Sequence, residues 1–241
     1  MRYGIIGDIH GNLEAFETAL EALSHERIDK YLCVGDIVGY GTDPRECIKM
    51  TRDLGAVTVC GNHDAACIGR ADINYFNNPA QAAIMWTKQT LSENDLAFLK
   101  GLDLTYRNEH LTLVHGTLAE PEEFHYMFDG VAARGTLNLM ETDICFVGHS
   151  HMPGIFLLRN GGLKYFYKEK TKMSRDEKLI VNTGSIGQPR DGDPRLCYCV
   201  YDTDTGFVEL KRIQYDIEKA QKKTLKAGLP AFLAYRLGVG V

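Results

Sequence analysis

The sequence is short of several things, and each shortage closes a class of function. Its seven cysteines, Cys33, Cys47, Cys60, Cys67, Cys145, Cys197 and Cys199, are an odd set with no Cys-x-x-Cys pair. Several sit inside apolar strand patterns, where a reduced thiol behaves as a small hydrophobe, so a reducing, cytoplasmic setting is expected. No apolar run reaches the roughly 18 residues of a membrane span, and no basic segment followed by an apolar one opens the chain. The expectation is a protein neither exported nor membrane-bound. Positive charge is in deficit, with 27 Lys and Arg against 32 Asp and Glu and a net charge of -5. Binding driven by neutralising a phosphate backbone therefore has no general support, and no stable nucleic-acid partner is expected. Low-complexity segments, internal repeats and flexible linkers are also missing, and 44% hydrophobic with 24% charged residues suits an ordinary globular chain.

What is present is a repeated device. The apolar stretch Tyr3-Gly4-Ile5-Ile6 runs straight into Asp8 and His10. Tyr31-Leu32-Cys33-Val34 runs into Gly35-Asp36, and Val57-Thr58-Val59-Cys60 into Gly61-Asn62-His63-Asp64. Leu111-Thr112-Leu113-Val114 ends at His115, and Ile144-Cys145-Phe146-Val147 at Gly148-His149-Ser150-His151. Singly each is weak, because an Asp after a strand is often a turn residue and a lone His is more often structural than a ligand. Together they gather carboxylate, amide and imidazole donors from several strand ends onto one edge, which is how a fold builds a rigid two-cation site. These donors span residues 8 to 151, so no cut before 151 leaves the site whole, and one domain over 1–241 is expected.

Around the device the chain alternates. Asn12 can cap a helix carrying Leu13, Phe16, Leu20 and Leu23 at helical spacing, and Asp43-Pro44 signals another helix after the strand at 29–34. Residues 65–103 read as helical, with Pro79 in a first turn, Ser92 to Asp95 as a capping box, Trp86 and Phe98 as packing residues, and a loop at 72–78 placed to overhang the site. Strands at 104–107 and 110–115 precede a helix near 130–140. Residues 155–158, 163–167, 179–182, 196–202 and 206–211 read as short strands forming a second, largely antiparallel sheet, before a charged helix at 215–227. Cys197 and Cys199, two apart in a strand, should share one buried face. The run Lys164 to Lys172 reads as a solvated hairpin, and His25, His110 and His125 as surface or packing residues.

In order and complete, these elements resemble the calcineurin-like metallophosphoesterase superfamily, with its pattern D-x-H, G-D, G-N-H-[D/E], H and G-H-x-H. The stretch Asn182 to Arg190 is similar to the small prokaryotic phosphodiesterase branch, while Gly35 to Gly41 lacks the D-R-G element of the protein Ser/Thr phosphatases. The resemblance implies an α/β fold, a two-sheet αββα sandwich with flanking helices and a dinuclear metal site at strand ends. It assigns Asp8, His10 and His151 to one metal, Asn62, His115 and His149 to the other, and Asp36 to both. His63, oriented by Asp64, would serve the leaving-group oxygen as general acid or charge donor. The donor types suit two divalent ions, Mn, Fe, Zn or Ni, that lower the pKa of a bridging water and clamp a phosphoryl group. Arg190 is a candidate for a substrate phosphate oxygen, with Asp191 and Asp193 as competing surface partners. The function expected is hydrolysis of a small phosphodiester or nucleotide. Dinucleoside polyphosphate hydrolysis, phosphomonoester hydrolysis and a noncatalytic scaffold of the same fold are the alternatives.

Overall fold

The computed structural model describes residues 1–241. Twelve strands follow in the order β1 (Arg2–Ile6), β2 (Lys30–Cys33), β3 (Val57–Thr58), β4 (Thr105–Arg107), β5 (Thr112–Val114), β6 (Ile144–Val147), β7 (Gly154–Arg159), β8 (Gly162–Phe166), β9 (Lys170–Lys172), β10 (Glu177–Asn182), β11 (Leu196–Asp202) and β12 (Phe207–Ile213). The helices are α1 (Leu13–Ser24), α2 (Pro44–Asp53), α3 (Asn62–Cys67), α4 (Asn78–Thr90), α5 (Glu93–Lys100), α6 (Gly130–Leu139), α7 (Ile217–Lys226) and α8 (Ala231–Tyr235). Local chemistry sets their starts. The Asn12 side chain accepts from the Ala15 N–H at α1, and Asn77 accepts from Ala80 at α4. Ser92 and Asp95 form a reciprocal capping box at α5, as expected from the sequence.

Two six-stranded sheets are stacked, ordered β3-β2-β1-β11-β12-β9 and β4-β5-β6-β10-β7-β8. Between them lies an apolar layer in which Tyr3, Ile5 and Leu32 of the first sheet meet Leu113, Phe146 and Leu179 of the second. Strand alternation sends the next residues outward: Ile6 and Cys33 toward Phe16, Ala19 and Ile48 of α1 and α2, and Cys145 and Ile180 toward Ala133 and Leu137 of α6. The result is the expected αββα sandwich. Cys197 and Cys199 both face the inter-sheet layer, and all seven cysteines are free and buried.

One expectation fails. The C-terminal strands do not make a second antiparallel sheet of their own. β11 pairs antiparallel with β1, Tyr201 opposite Tyr3, and β12 and β9 follow it; β10 pairs parallel with β6, Leu179 opposite Ile144, and β7 and β8 follow that. Each sheet is thus mixed, because the inner strands β1 and β6 are apolar on both faces and need a partner on either edge. The Lys164–Lys172 run is likewise split between the two sheets rather than closed as one hairpin. Its exposed Lys170 and Lys172 lie 4.4 and 5.6 Å from the Phe207 ring centroid. The helical stretch expected over 65–103 starts earlier, at Asn62, so three residues of the Gly-Asn-His-Asp sequence stand in the first turn of α3.

Phe146 is fully buried in the inter-sheet layer, 5.7 Å from the Tyr201 ring. Phe146→Ala should lower unfolding free energy by about 3–5 kcal/mol, measured by urea titration; a loss below about 1 kcal/mol would place the main core elsewhere.

Candidate metal centre

Strands β1, β2 and β3 run parallel in one sheet, and β5, β6 and β10 run parallel in the other. All six therefore end on one edge of the sandwich, where their loops bond to one another. The Asp8 N–H donates to the Gly35 carbonyl at 2.9 Å, the His10 N–H to Asp36 at 3.0 Å, and the Gly148 N–H to His115 at 2.9 Å. Asp8, His10, Asp36, His149 and His151 all have positive φ, between 48° and 67°. Left-handed backbone at non-glycine residues costs on the order of 1–3 kcal/mol each and persists only where surrounding bonds over-determine it. Glycines beside the carboxylates are required by contact: a Cβ on Gly61 would stand 2.1 Å from Asp36 Oδ1, and one on Gly148 2.4 Å from Asp8 Oδ2.

The residues so placed form two sets. Asp8, His10, Asp36 and His151 make one; Asp36, His115 and His149 make the other, and all are buried. Asp36 Oδ2 lies 3.5 Å from His10 Nε2 and 3.4 Å from His115 Nε2, so one carboxylate oxygen faces both sets. His10 Nε2 and His151 Nε2 are 3.0 Å apart, with Asp8 Oδ1 3.3 Å from His151 Nε2. In the second set His115 Nε2 lies 3.0 Å from Asn62 Oδ1 and 3.1 Å from His149 Nδ1.

Whether this set fits divalent cations is decided by the far ring nitrogens. Nδ1 of His10, His115 and His151 faces the carbonyls of Val38, Val34 and Gln188 at 3.1, 2.8 and 2.5 Å. A carbonyl only accepts, so each Nδ1 carries a proton and, in the neutral ring, each Nε2 presents a bare lone pair. Burial pushes the imidazoles of His10, His149 and His151 below the ordinary histidine range. Two neutral lone pairs aimed at each other across 3.0 Å repel unless a cation stands between them. His115 is also buried, yet the adjoining Asp36 carboxylate outweighs that and holds it up at about 9. A divalent ion would displace that proton. Oxygen and imidazole donors without sulfur suit borderline divalent ions.

Asp64 does not touch the His63 ring. Its two oxygens accept from the N–H groups of Asp36, Ile37, Val38 and Gly61 at 2.8, 3.0, 3.2 and 3.1 Å. The expected orientation of His63 by Asp64 is thereby replaced by a clamp on the Asp36 loop, because the first turn of α3 points the carboxylate back at that backbone. Asp36 Oδ1 in turn accepts from the His63 N–H at 2.8 Å. The His63 ring is enclosed by Tyr40 and Phe76, with centroids at 4.4 and 5.1 Å, and its buried Nδ1 has no hydrogen-bond partner. Burial pushes this imidazole down to about 4.

The metal-ligand types open onto a cleft of about 500 Å³. Asp72, Phe76 and Asn77, from the loop expected to overhang the site, line one side; Phe124, His125 and Tyr126 line the other. Arg190 stands at the same cleft, its Nη2 donating to Gln188 Oε1 at 2.8 Å. Asp191 and Asp193 are engaged by Arg212 and Arg195 instead.

Residues 1–206 match the model of the calcineurin-like phosphoesterase superfamily domain. The chain belongs to that superfamily. Among phosphoesterases and their kin, the crystal structure of a metallophosphoesterase from Sphaerobacter thermophilus is 37% identical, with a TM-score of 0.87 and coverage of 100% of this chain and 99% of that one. An uncharacterised protein of Methanocaldococcus jannaschii is 38% identical over 244 residues, covering 98% of this chain and 97% of its own. A symmetrical bis(5'-nucleosyl)-tetraphosphatase of Actinobacillus succinogenes is 36% identical over 62 residues, 24% of this chain and 22% of that enzyme.

Within this superfamily member several residues around the cluster escape a reading of the sequence. Tyr40 carries no ligand chemistry, yet it lies against His10, His63 and Arg190. Tyr126 stacks on His149 at 3.8 Å. Gln188 joins His151 to Arg190, accepting from both. Only Gln188 had a signal: β10 runs into Asn182-Thr183-Gly184 in the same manner as the five ligand-bearing strands. His25, His110 and His125 lie outside both ligand sets; His25 and His125 are exposed, and His110 is half-buried with its ring edge-on to Tyr3 at 6.3 Å.

Asp36→Asn should lower metal content at both positions, because one oxygen faces both sets and an amide brings no charge. Elemental analysis of the purified variant checks this, and two tightly held ions per chain would contradict it.

Proposed function

We propose that this phosphoesterase hydrolyses a small phosphodiester or nucleotide with two divalent cations, residues 1–241 acting as one catalytic unit. The observation that carries the reading is the shared Asp36 oxygen, flanked at 3.5 and 3.4 Å by imidazoles of two separate ligand sets. Asp8, His10 and His151 would hold one cation, Asn62, His115 and His149 the other, and Asp36 both. Mn, Fe, Zn and Ni all suit these donors. When bound, such ions supply Lewis acidity toward a phosphoryl group and an activated water.

The chain's own residues do the rest. His63, not among the ligands, stands in a pocket closed by Tyr40 and Phe76, where a proton or a hydrogen bond offered to the leaving oxygen is not diluted by water. Arg190, held by Gln188 and free of any carboxylate, faces the cleft with donors suited to a phosphate oxygen. A cleft of about 500 Å³ with aromatic walls suits a nucleotide-sized ligand. Local similarity to tetraphosphatases supports dinucleoside polyphosphates as a second reading. The intact His63 and ligand set argue against a purely structural role. No helix is long and apolar enough to cross a membrane, and buried free thiols suit a reducing, cytoplasmic compartment.

The deciding test is a substrate panel of cyclic nucleotides, dinucleoside tetraphosphates, glycerophosphodiesters and phosphomonoesters, each with Mn²⁺, Ni²⁺ and Mg²⁺. Turnover of none, with metal bound, would remove the catalytic reading. His63→Ala should keep both metals and lower kcat on an alkyl phosphodiester roughly 10²–10⁴-fold, with KM moving less. Equal rates for variant and wild type would exclude His63 from the mechanism. Arg190→Ala should lower kcat/KM by about tenfold or more, the worth of a charge-assisted hydrogen bond; no change on diesters and polyphosphates alike would mean the contact is not made.

A further inference from the structure

The buried Nδ1 of His63 has no hydrogen-bond partner, and both oxygens of Asp64 are engaged by backbone N–H groups instead. Rotation of an imidazole about its Cβ–Cγ bond is a soft torsion with broad wells. Without a bond to Nδ1, the direction of this ring rests on what is packed around it. Closest is the backbone of Gly39, where a Cβ would stand 2.4 Å from Nδ1, 2.9 Å from Cγ and 3.1 Å from Cβ of His63. Gly39 also has φ +92°, a conformation that residues with side chains avoid, so contact and backbone both call for glycine there. Tyr40, at φ +56°, lays its ring 4.4 Å from the imidazole with an interplanar angle of 51°. Phe76 and His10 meet it edge-on, with centroids at 5.1 and 4.8 Å and angles of 81° and 80°.

These contacts are anchored away from the ligand sets. Tyr40 belongs to an apolar cluster with Ala80 and Ala83 of α4, Leu229, and Leu233 of α8, and Phe76 packs against the same cluster. Within the turn the Gly41 N–H donates to the His10 carbonyl at 2.7 Å, and the Val38 N–H donates to Asp64 Oδ1 at 3.2 Å. Asp64 therefore acts on His63 at one remove, by holding the backbone that leads into Gly39.

We infer that Gly39 and Tyr40 are the positioning residues of His63: van der Waals contact with this turn, in place of a hydrogen bond to Nδ1, holds the imidazole in its working direction. A misplacement of about 1 Å at a reacting group can lower a rate about 10²-fold, so the turn sets how much of the His63 contribution is realised. The inference rests on the phosphoester-hydrolase reading above and adds the residues through which His63 is aimed.

A double-mutant cycle on the metal-loaded protein tests it. Gly39→Ala should lower kcat on an alkyl phosphodiester about 10- to 100-fold, with KM moving less and both metals retained by elemental analysis. The same substitution made in His63→Ala should cost less than about twofold more, because the group it misplaces is gone. Losses that multiply independently would overturn the inference, as would an unchanged kcat in Gly39→Ala. Tyr40→Leu should also lower kcat, and Tyr40→Phe, which keeps the ring, should recover most of that loss. Equal losses in the two Tyr40 variants would assign the effect to the hydroxyl and overturn positioning by contact; this pair also covers a Gly39→Ala protein that does not fold. Nuclear magnetic resonance of the zinc-loaded protein with nitrogen-labelled histidine gives a readout without turnover. Gly39→Ala and Tyr40→Leu should move the ring signals of His63 and leave those of His115 and His149 in place. Unmoved His63 signals would overturn the inference. Moved signals in a protein that turns over no substrate of the panel would retain the positioning and discard the catalytic reading.

Discussion

Everything at the strand ends of this protein answers to one electrostatic constraint, the crowding of buried donors onto a point where only cations relieve them. The imidazoles of His10 and His151 present bare Nε2 atoms because backbone carbonyls hold the protons on the opposite nitrogens. Those bare atoms face each other at 3.0 Å, and the Asp36 carboxylate is interposed toward both ligand sets. Such an arrangement is unfavourable in itself and is kept only because the surrounding fold leaves the side chains nowhere else to turn.

The enforcement is visible in the backbone. Asp64 gathers four N–H groups from two loops and so fixes where Asp36 points. Ser185 donates its hydroxyl to the Asp8 carbonyl, and the His149 N–H donates to the Asp8 carboxylate, tying the first, fifth and sixth loops together. The inter-sheet layer beneath is largely apolar and close-packed, so the two sheets cannot slide without opening voids. Loop strain at the metal centre is thus carried by a stiff sandwich, which is the arrangement a site with fixed metal spacing requires.

Function then divides by place. The ligand edge carries chemistry common to the superfamily, whereas the walls of the cleft are made of aromatic and charged residues from segments of unlike origin: the loop before α4, the loop before α6 and the turn after β10. Selectivity among phosphoesters is expected to lie in those walls, since they touch the parts of a substrate the metals do not reach.

The sequence by itself determined which candidate donors stand at the strand ends, and the layer order. Metal chemistry demands particular side chains, and strand alternation writes burial with a period of two, so both survive in a linear string. Asp8, His10, Asp36, Asn62, His115, His149 and His151 were all legible in this way as candidates that meet at one edge, and the capping box at Ser92 was legible too. The assignment of β10 and β11 to different sheets was not, because apolar strands of similar length carry no mark of which open edge they will fill. Nor was the turn of Asp64 toward the Asp36 backbone, or the approach of Tyr40 and Tyr126 to the cleft. Those depend on contacts between residues far apart in the chain, whose types are equally at home on any surface, and only the packed structure decides where they meet.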